Sequence, residues 1–291
     1  MSAPRSVRSI VIDLEKQFGE AGLAEARREA RLLIAHVLGC PVLSIHAHPE
    51  RMVETEQVDR ILTLALRRRN REPLAWLTGH VDFCGLSFQV GPGVLVPRPD
   101  SEILVETARS IASQLSGRSP LRILDCCTGS GCIGISLATL LESGGQRVDL
   151  TLTELDPVAA GYAQANLVRH DLVNRARLVQ ADLFPSAGEN QFDLIVANPP
   201  YIDTGVIDTL MPEVSRYEPR LALDGGSDGL AVCRRLIREA TSRLASPGWL
   251  LLEHGYDQEA PIAALLSDAG YTGLLAVKDY GGQPRVSGGC L

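Results

Sequence analysis

The stretch from Leu121 to Ile135, LRILDCCTGSGCIGI, reads as a short apolar strand, a glycine turn and the start of a helix. Leu121 to Leu124 is the strand, and Ile133 opens a helical stripe that runs to Leu141. Glycines between a strand and a helix let backbone pass close to a ligand while the first helical amides face it. The turn matches G-x-G-x-x-G through Gly129, Gly131 and Gly134, a pattern that does not separate a dinucleotide site from an S-adenosylmethionine site.

Working outward, apolar strands at Val148–Thr153, Ala176–Ala181 and Phe192–Ala197 alternate with helical stripes at Val158–His170 and about Gly229–Leu244. A strand at Trp249–Glu253, a helix at Ala260–Ala269 and closing strands near Leu274–Lys278 and Arg285–Gly289 follow. This alternation predicts an α/β fold, a mostly parallel sheet with helices on both faces. Upstream, Pro97 to Ser101 lead into a helix for which Asp100 or Ser101 is the expected N-cap. Val81–Val96, with turn formers Gly85, Gly91, Pro92 and Gly93, reads as a hairpin.

The first 80 residues carry stripes at Ala26, Ala30, Leu33, Val37 and at Val58, Ile61, Leu62, Ala65, Leu66, which predict a small helical domain. The expected division is a helical domain 1–80, a β-hairpin linker 81–98 and an α/β domain 99–291. Arg67, Arg68, Arg69 and Arg71 suit the negative end of their helix dipole, with a docking patch for an acidic or RNA-bound partner as the competing reading.

The 291 residues are 45% hydrophobic and 22% charged, enough for a sizeable core and unlike a disordered or fibrous chain. No apolar run approaches a membrane span and no hydrophobic signal core precedes Gly19, so a cytoplasmic protein without a membrane is expected. Seven cysteines without zinc-finger spacing predict reduced thiols and no metal. The net charge is -7, and only the first ninety residues, with 12 basic and 11 acidic side chains, lean positive. That balance lacks the basic footprint of a DNA-binding protein.

Two carboxylates end strands: Glu154, placed to chelate ribose hydroxyls, and Asp182, placed to hold an adenine amine. The run Asn198, Pro199, Pro200, Tyr201 follows the apolar strand Leu194–Ala197 at the expected mouth of the crevice. The Asn198 side-chain oxygen and the Pro199 carbonyl each accept one hydrogen bond from a planar NH2 group, and Tyr201 covers its flat face. Such a pocket suits an amide or exocyclic amine that presents nitrogen to an electrophilic methyl.

Together these residues resemble the class I S-adenosylmethionine-dependent methyltransferases. More closely, the ordered set EPLAWLTG (72–79), VLVPRPDSE (94–102), NPPY (198–201), YEP (217–219), GGSDGL (225–230), LEHG (252–255) and KDY (278–280) is similar to the bacterial release-factor glutamine methyltransferases, from about Glu25 onward. The resemblance implies a class I, Rossmann-like fold and methyl transfer from S-adenosylmethionine to the glutamine of the Gly-Gly-Gln loop of class-1 peptide chain release factors; a monomer is the expected state. It implies cofactor contacts at Cys127, Thr128, Gly129, Ser130, Gly131, Glu154, Asp182, Leu183 and Asn198, and chemistry at Asn198, Pro199, Pro200 and Tyr201. Cys127 stands where relatives have the first glycine of D-x-G-x-G-x-G, a substitution shared with the ribosomal-protein glutamine methyltransferases, which are the alternative. An adenine-N6 methyltransferase of nucleic acid and a non-catalytic dinucleotide-binding module are the further rivals.

Overall fold

The computed structural model describes residues 4–115, 117–186 and 191–291, so the start of the expected first domain, residues 1–3, lies outside the described residues. The chain divides into two units, Met1–His80 with Met211–Tyr217, and Val81–Leu210 with Glu218–Leu291.

In the first unit, β1 (Arg5–Ser6) leads into α1 (Val7–Glu20), which the stripes named above do not include. Ile10, Leu14 and Phe18, spaced by four, are fully buried on it, and the Ser6 side chain caps it by accepting the Ser9 amide at 3.2 Å. α2 (Ala26–Leu38) buries Ala30, Leu33, Ile34 and Val37, and α3 (Val42–Ala47) adds Ile45. β2 (Met52–Val53) pairs antiparallel with β1. α4 (Thr55–Arg69) and α5 (Leu74–Thr78) complete the helical part.

The buried side of α4 runs Val58, Ile61, Ala65, Arg68, whereas Leu66, expected in its apolar stripe, is 57% exposed. Arg68 thus takes the next inward position, 4% exposed, and donates to Glu29 at 2.5 and 3.1 Å, to Glu213 at 2.9 Å and to the Glu72 carbonyl at 3.0 Å. Arg71 forks onto the same Glu213 at 2.8 and 2.7 Å, and Arg67 onto Glu72 at 2.8 and 2.5 Å. The arginine run is therefore neither a simple solvated helix end nor an open docking patch. Most of its charge is matched inside the unit, including by the 211–217 segment.

In the second unit, β3 (His80–Phe83) and β4 (Leu86–Gln89) form the hairpin, turning at Cys84 and Gly85 with φ of 49° and 74°. The Glu102 carboxylate accepts the Cys84 amide at 2.8 Å and steadies that turn. α6 (Glu102–Gln114) begins from a single 3-10 turn, Pro99–Ser101. Ser101 is helical there and makes no side-chain cap, contrary to expectation, because the proline turn already starts the spiral and its hydroxyl is used elsewhere.

β5 (Leu121–Cys126), α7 (Cys132–Ser143), β6 (Val148–Glu154), α8 (Pro157–Arg169), β7 (Ala176–Gln180) and β8 (Phe192–Ala197) follow. The single turn α9 (Pro212–Ser215) belongs to the first unit; α10 (Ala231–Ala240), β9 (Leu244–Glu253), α11 (Glu259–Asp268), β10 (Thr272–Lys278) and β11 (Pro284–Cys290) close the second. The expected helix to Leu244 stops at Ala240. Leu244 continues the stripe of Leu236 and Ala240 by position, yet it pairs with Phe192 as the first residue of β9, five residues before the expected strand start.

The sheet order is β10-β11-β9-β8-β5-β6-β7, parallel from β9 to β7, with β11 antiparallel to both neighbours. One face is covered by Leu104, Val105, Leu137 and Leu167, the other by Leu236, Ile237, Ile262 and Leu266. The fold is thus the α/β sandwich expected. Chain order reverses at β5, which lies between β6 and β8, and at such a switch point ligands bind beyond the carboxyl ends of the strands. Among the described residues, no helix is long and apolar enough to cross a membrane.

Candidate functional site

After β5 the chain takes left-handed backbone at alternate residues: Cys127 at φ 56°, Gly129 at 56° and Gly131 at 83°. Cys127 holds a conformation that costs a residue with a β-carbon about 1 to 2 kcal/mol, so the turn keeps the shape of a glycine turn with a side chain added. The nearest side-chain atom to a β-carbon at Gly129 would be Val94, 4.0 Å away, which leaves the inner side of the turn open for a ligand.

Beneath the turn, the fully buried Asp125 accepts the Thr128 hydroxyl at 2.5 Å and the Gly134 amide at 2.9 Å with one oxygen. Burial pushes its carboxyl up to about 7, against those two hydrogen bonds. Its other oxygen has no hydrogen-bond partner among the described residues.

Glu154 closes the turn from β6. One oxygen accepts the Gly129 amide at 2.8 Å and the other accepts the Leu155 and Asp156 amides at 2.8 and 2.9 Å. Asp182 is half exposed beyond β7 and pairs with Arg235 at 2.9 Å. The Leu183 carbonyl accepts the Thr153 hydroxyl at 2.6 Å, holding that loop against β6.

At the end of β8, the Asn198 amide nitrogen donates to Ser101 Oγ at 3.3 Å. Tyr201 donates its hydroxyl to Glu253 Oε1 at 3.0 Å, and its phenol stays neutral because burial pushes its pKa well up. Glu218, 6% exposed, accepts the Val96 amide at 3.1 Å and Arg98 at 2.5 Å, which fixes the 96–98 segment.

These elements enclose a cavity of about 210 Å³. Of the residues expected at the site, Cys127, Thr128, Gly129, Ser130, Glu154, Asp182, Leu183, Asn198 and Pro200 line it. Gly131, Pro199 and Tyr201 do not: Gly131 caps α7, Pro199 is buried, and Tyr201 is turned to Glu253. Arg98, Ser101, Leu155, Asp156, Pro219 and Arg235 also line it, without having been read as site residues. The VLVPRPDSE and YEP motifs contain three of them, and those motifs were the available signal. Apolar walls at Leu95, Ile133, Leu155, Leu183 and Val232, with carboxylates at the strand ends, suit a nucleoside-sized ligand.

Comparison with known proteins adds three kinds of likeness. The PrmC N-terminal domain matches residues 10–79 and the methyltransferase small domain residues 101–213. A release factor glutamine methyltransferase of Geobacter sulfurreducens is 36% identical over 98% of this chain and 96% of its own. Relatives of the same description from Bordetella pertussis and Escherichia coli are 39% and 37% identical, over 91% and 90% of this chain and 95% and 91% of theirs. Among solved structures, a methyltransferase from Pyrococcus furiosus aligns with a TM-score of 0.51 at 21% identity, covering 81% of this chain and 98% of that one. The N-terminal domain of human METTL16 in complex with SAH does so with 0.51 at 19%, covering 82% and 85%.

Proposed function

The chain belongs to the release factor glutamine methyltransferases, and on that premise we propose that the cavity beside Asn198 is where the glutamine amide of a release factor meets the methyl donor. The enzyme uses S-adenosylmethionine, which supplies an electrophilic methyl on a sulfonium when bound. The residues fit it. The open inner side of Gly129 leaves room for the ligand, and in this reading Glu154 takes the ribose hydroxyls and Asp182 the adenine amine, both from the cavity lining.

An amide nitrogen is a poor nucleophile because its lone pair is conjugated. Asn198 Oδ1 accepts an N–H bond of the glutamine side chain, orients its nitrogen and accommodates positive charge as the C–N bond forms, whereas Pro199, expected to supply the second acceptor, does not line the cavity. The proton leaves to water afterwards. No strong base is needed, and the cavity lining contains no His or Lys among the described residues. Tyr201 enters this reading through its bond to Glu253 rather than by stacking on the amide.

The substrate in this reading is the Gly-Gly-Gln loop of class-1 release factors, met in the cytoplasm by a single chain, with the helical unit holding the protein substrate. The acidic net charge of -7 argues against DNA as the substrate. The observation that carries the proposal is Asn198 on the cavity wall next to the glycine turn. Asn198→Ala tests it: turnover should fall about 100-fold or more while cofactor affinity changes much less. A folded Asn198→Ala enzyme working at the wild-type rate would remove the pocket from the reaction.

A further inference from the structure

An asparagine serves as an acceptor only if its oxygen, not its NH2, faces the substrate. The two ends of the amide are nearly the same size, so something must choose between them. At Asn198 the only side-chain partner among the described residues is Ser101 Oγ, 3.3 Å from Nδ2. Ser101 is itself 2% exposed, so water does not compete for its hydroxyl.

Behind Ser101 lies Glu253, the last residue of β9, 1% exposed. Tyr201 satisfies its Oε1, while Oε2 is buried without a hydrogen-bond partner among the described residues. Ser101, with Tyr201 and Arg285, is among the groups that offset the burial that raises the Glu253 pKa. A hydroxyl has one proton, and a carboxylate attracts it more strongly than a neutral amide oxygen does. With that proton committed to Glu253, Ser101 offers Asn198 only lone pairs.

We propose that Glu253 and Ser101 are positioning residues that set the direction of the Asn198 amide: Glu253 holds the Ser101 proton, Ser101 Oγ accepts Nδ2, and Oδ1 is turned to the cavity as an acceptor. Tyr201, by occupying Oε1, leaves Oε2 as the oxygen for Ser101. This rests on the reading of Asn198 as the acceptor for the substrate amide. It gives separate tasks to parts of the VLVPRPDSE, NPPY and LEHG motifs, whose residues join in pairs, Ser101 with Asn198 at 3.3 Å and Tyr201 with Glu253 at 3.0 Å.

The test uses the full-length enzyme, a purified class-1 release factor and S-adenosylmethionine, with kcat, KM for the release factor and calorimetric cofactor affinity measured for each variant. Ser101→Ala removes the acceptor for Nδ2. Glu253→Gln is isosteric but offers Ser101 an NH2, which frees the serine proton to bond Asn198 Oδ1 and turns the amide the wrong way. Each should lower kcat about tenfold or more, with cofactor affinity within about twofold of wild type. The double variant should be no slower than the slower single one, because both act through one orientation. Ser101→Thr, which restores a hydroxyl, should recover most of the turnover lost in Ser101→Ala.

Wild-type kcat in Ser101→Ala, additive losses in the double variant, or a Ser101→Thr enzyme no faster than Ser101→Ala would each overturn the proposal. Asn198→Ala run alongside separates the two levels. If it is slow while Ser101→Ala is unimpaired, only the orienting role fails. If Asn198→Ala is itself unimpaired, the reading of the pocket fails with it.

Discussion

The Glu154 carboxylate accepts the Gly129 amide at 2.8 Å, so the acid at the end of β6 and the glycine turn after β5 form one object. Its other oxygen holds the Leu155 and Asp156 amides, and the residue therefore shapes the turn while lining the cavity. Glu154→Ala should weaken S-adenosylmethionine binding by about 1 to 3 kcal/mol, with Glu154→Gln, which keeps an acceptor, falling between. NAD should not bind measurably to either protein. Calorimetric titration checks this, and NAD binding more tightly than S-adenosylmethionine would count against the cofactor assignment.

Arg68 is the centre of the ionic cluster in the helical unit, and removing it takes from Glu29 its cation, while Glu213 keeps only Arg71. Both carboxylates are partly exposed, at 17% and 16%, so water relieves some of the loss. Arg68→Ala should destabilise the protein by about 2 to 4 kcal/mol in denaturant titrations, less than for a fully buried pair. Arg69→Ala, whose partner is Gln17 at 3.3 Å on the surface, should cost under about 0.5 kcal/mol. Equal effects of the two would mean that the cluster is not held as described.

Asp125 gives stability a pH dependence with a definite sign. Burial raises its folded pKa to about 7, while in the unfolded chain an aspartate titrates near about 3.9. Between these values the folded state holds the proton more tightly, so the contribution is fully present at low pH and is lost as pH rises toward 7. Asp125→Asn cannot titrate. Its melting temperature minus that of wild type should therefore grow from pH 5 to about pH 7 and then level off. A difference that stays constant over that range would show that Asp125 has an ordinary pKa.

Much of the catalytic unit is legible in the sequence because a parallel sheet converts chain order into position. Asp125, Glu154, Asp182 and Asn198 lie at or just beyond the carboxyl ends of apolar strands that run the same way, so they must emerge on one edge of the sheet. The residues that were not legible act through contacts without periodicity. Glu218 meets Val96 and Arg98 from about 120 positions away, and Ser101 looked like a helix cap because its sequence context is that of one. Arg68 was hidden by the assumption that arginine faces water. α1 lies outside the apolar stripes of the helical domain, although Ile10, Leu14 and Phe18 stand at helical spacing behind a serine cap. Leu244 misled because a helical stripe happened to continue into a strand.

The most direct test of the central claim is to locate the transferred methyl. The enzyme is incubated with labelled S-adenosylmethionine and, separately, a class-1 release factor, the same factor with its Gly-Gly-Gln glutamine replaced, and duplex DNA, and modified peptides are sequenced by mass spectrometry. The account predicts one methyl on the side-chain amide nitrogen of that glutamine, and label in neither the substituted factor nor DNA. Methyl on another residue, equal labelling of the substituted factor, or transfer to DNA in preference to the protein would contradict it.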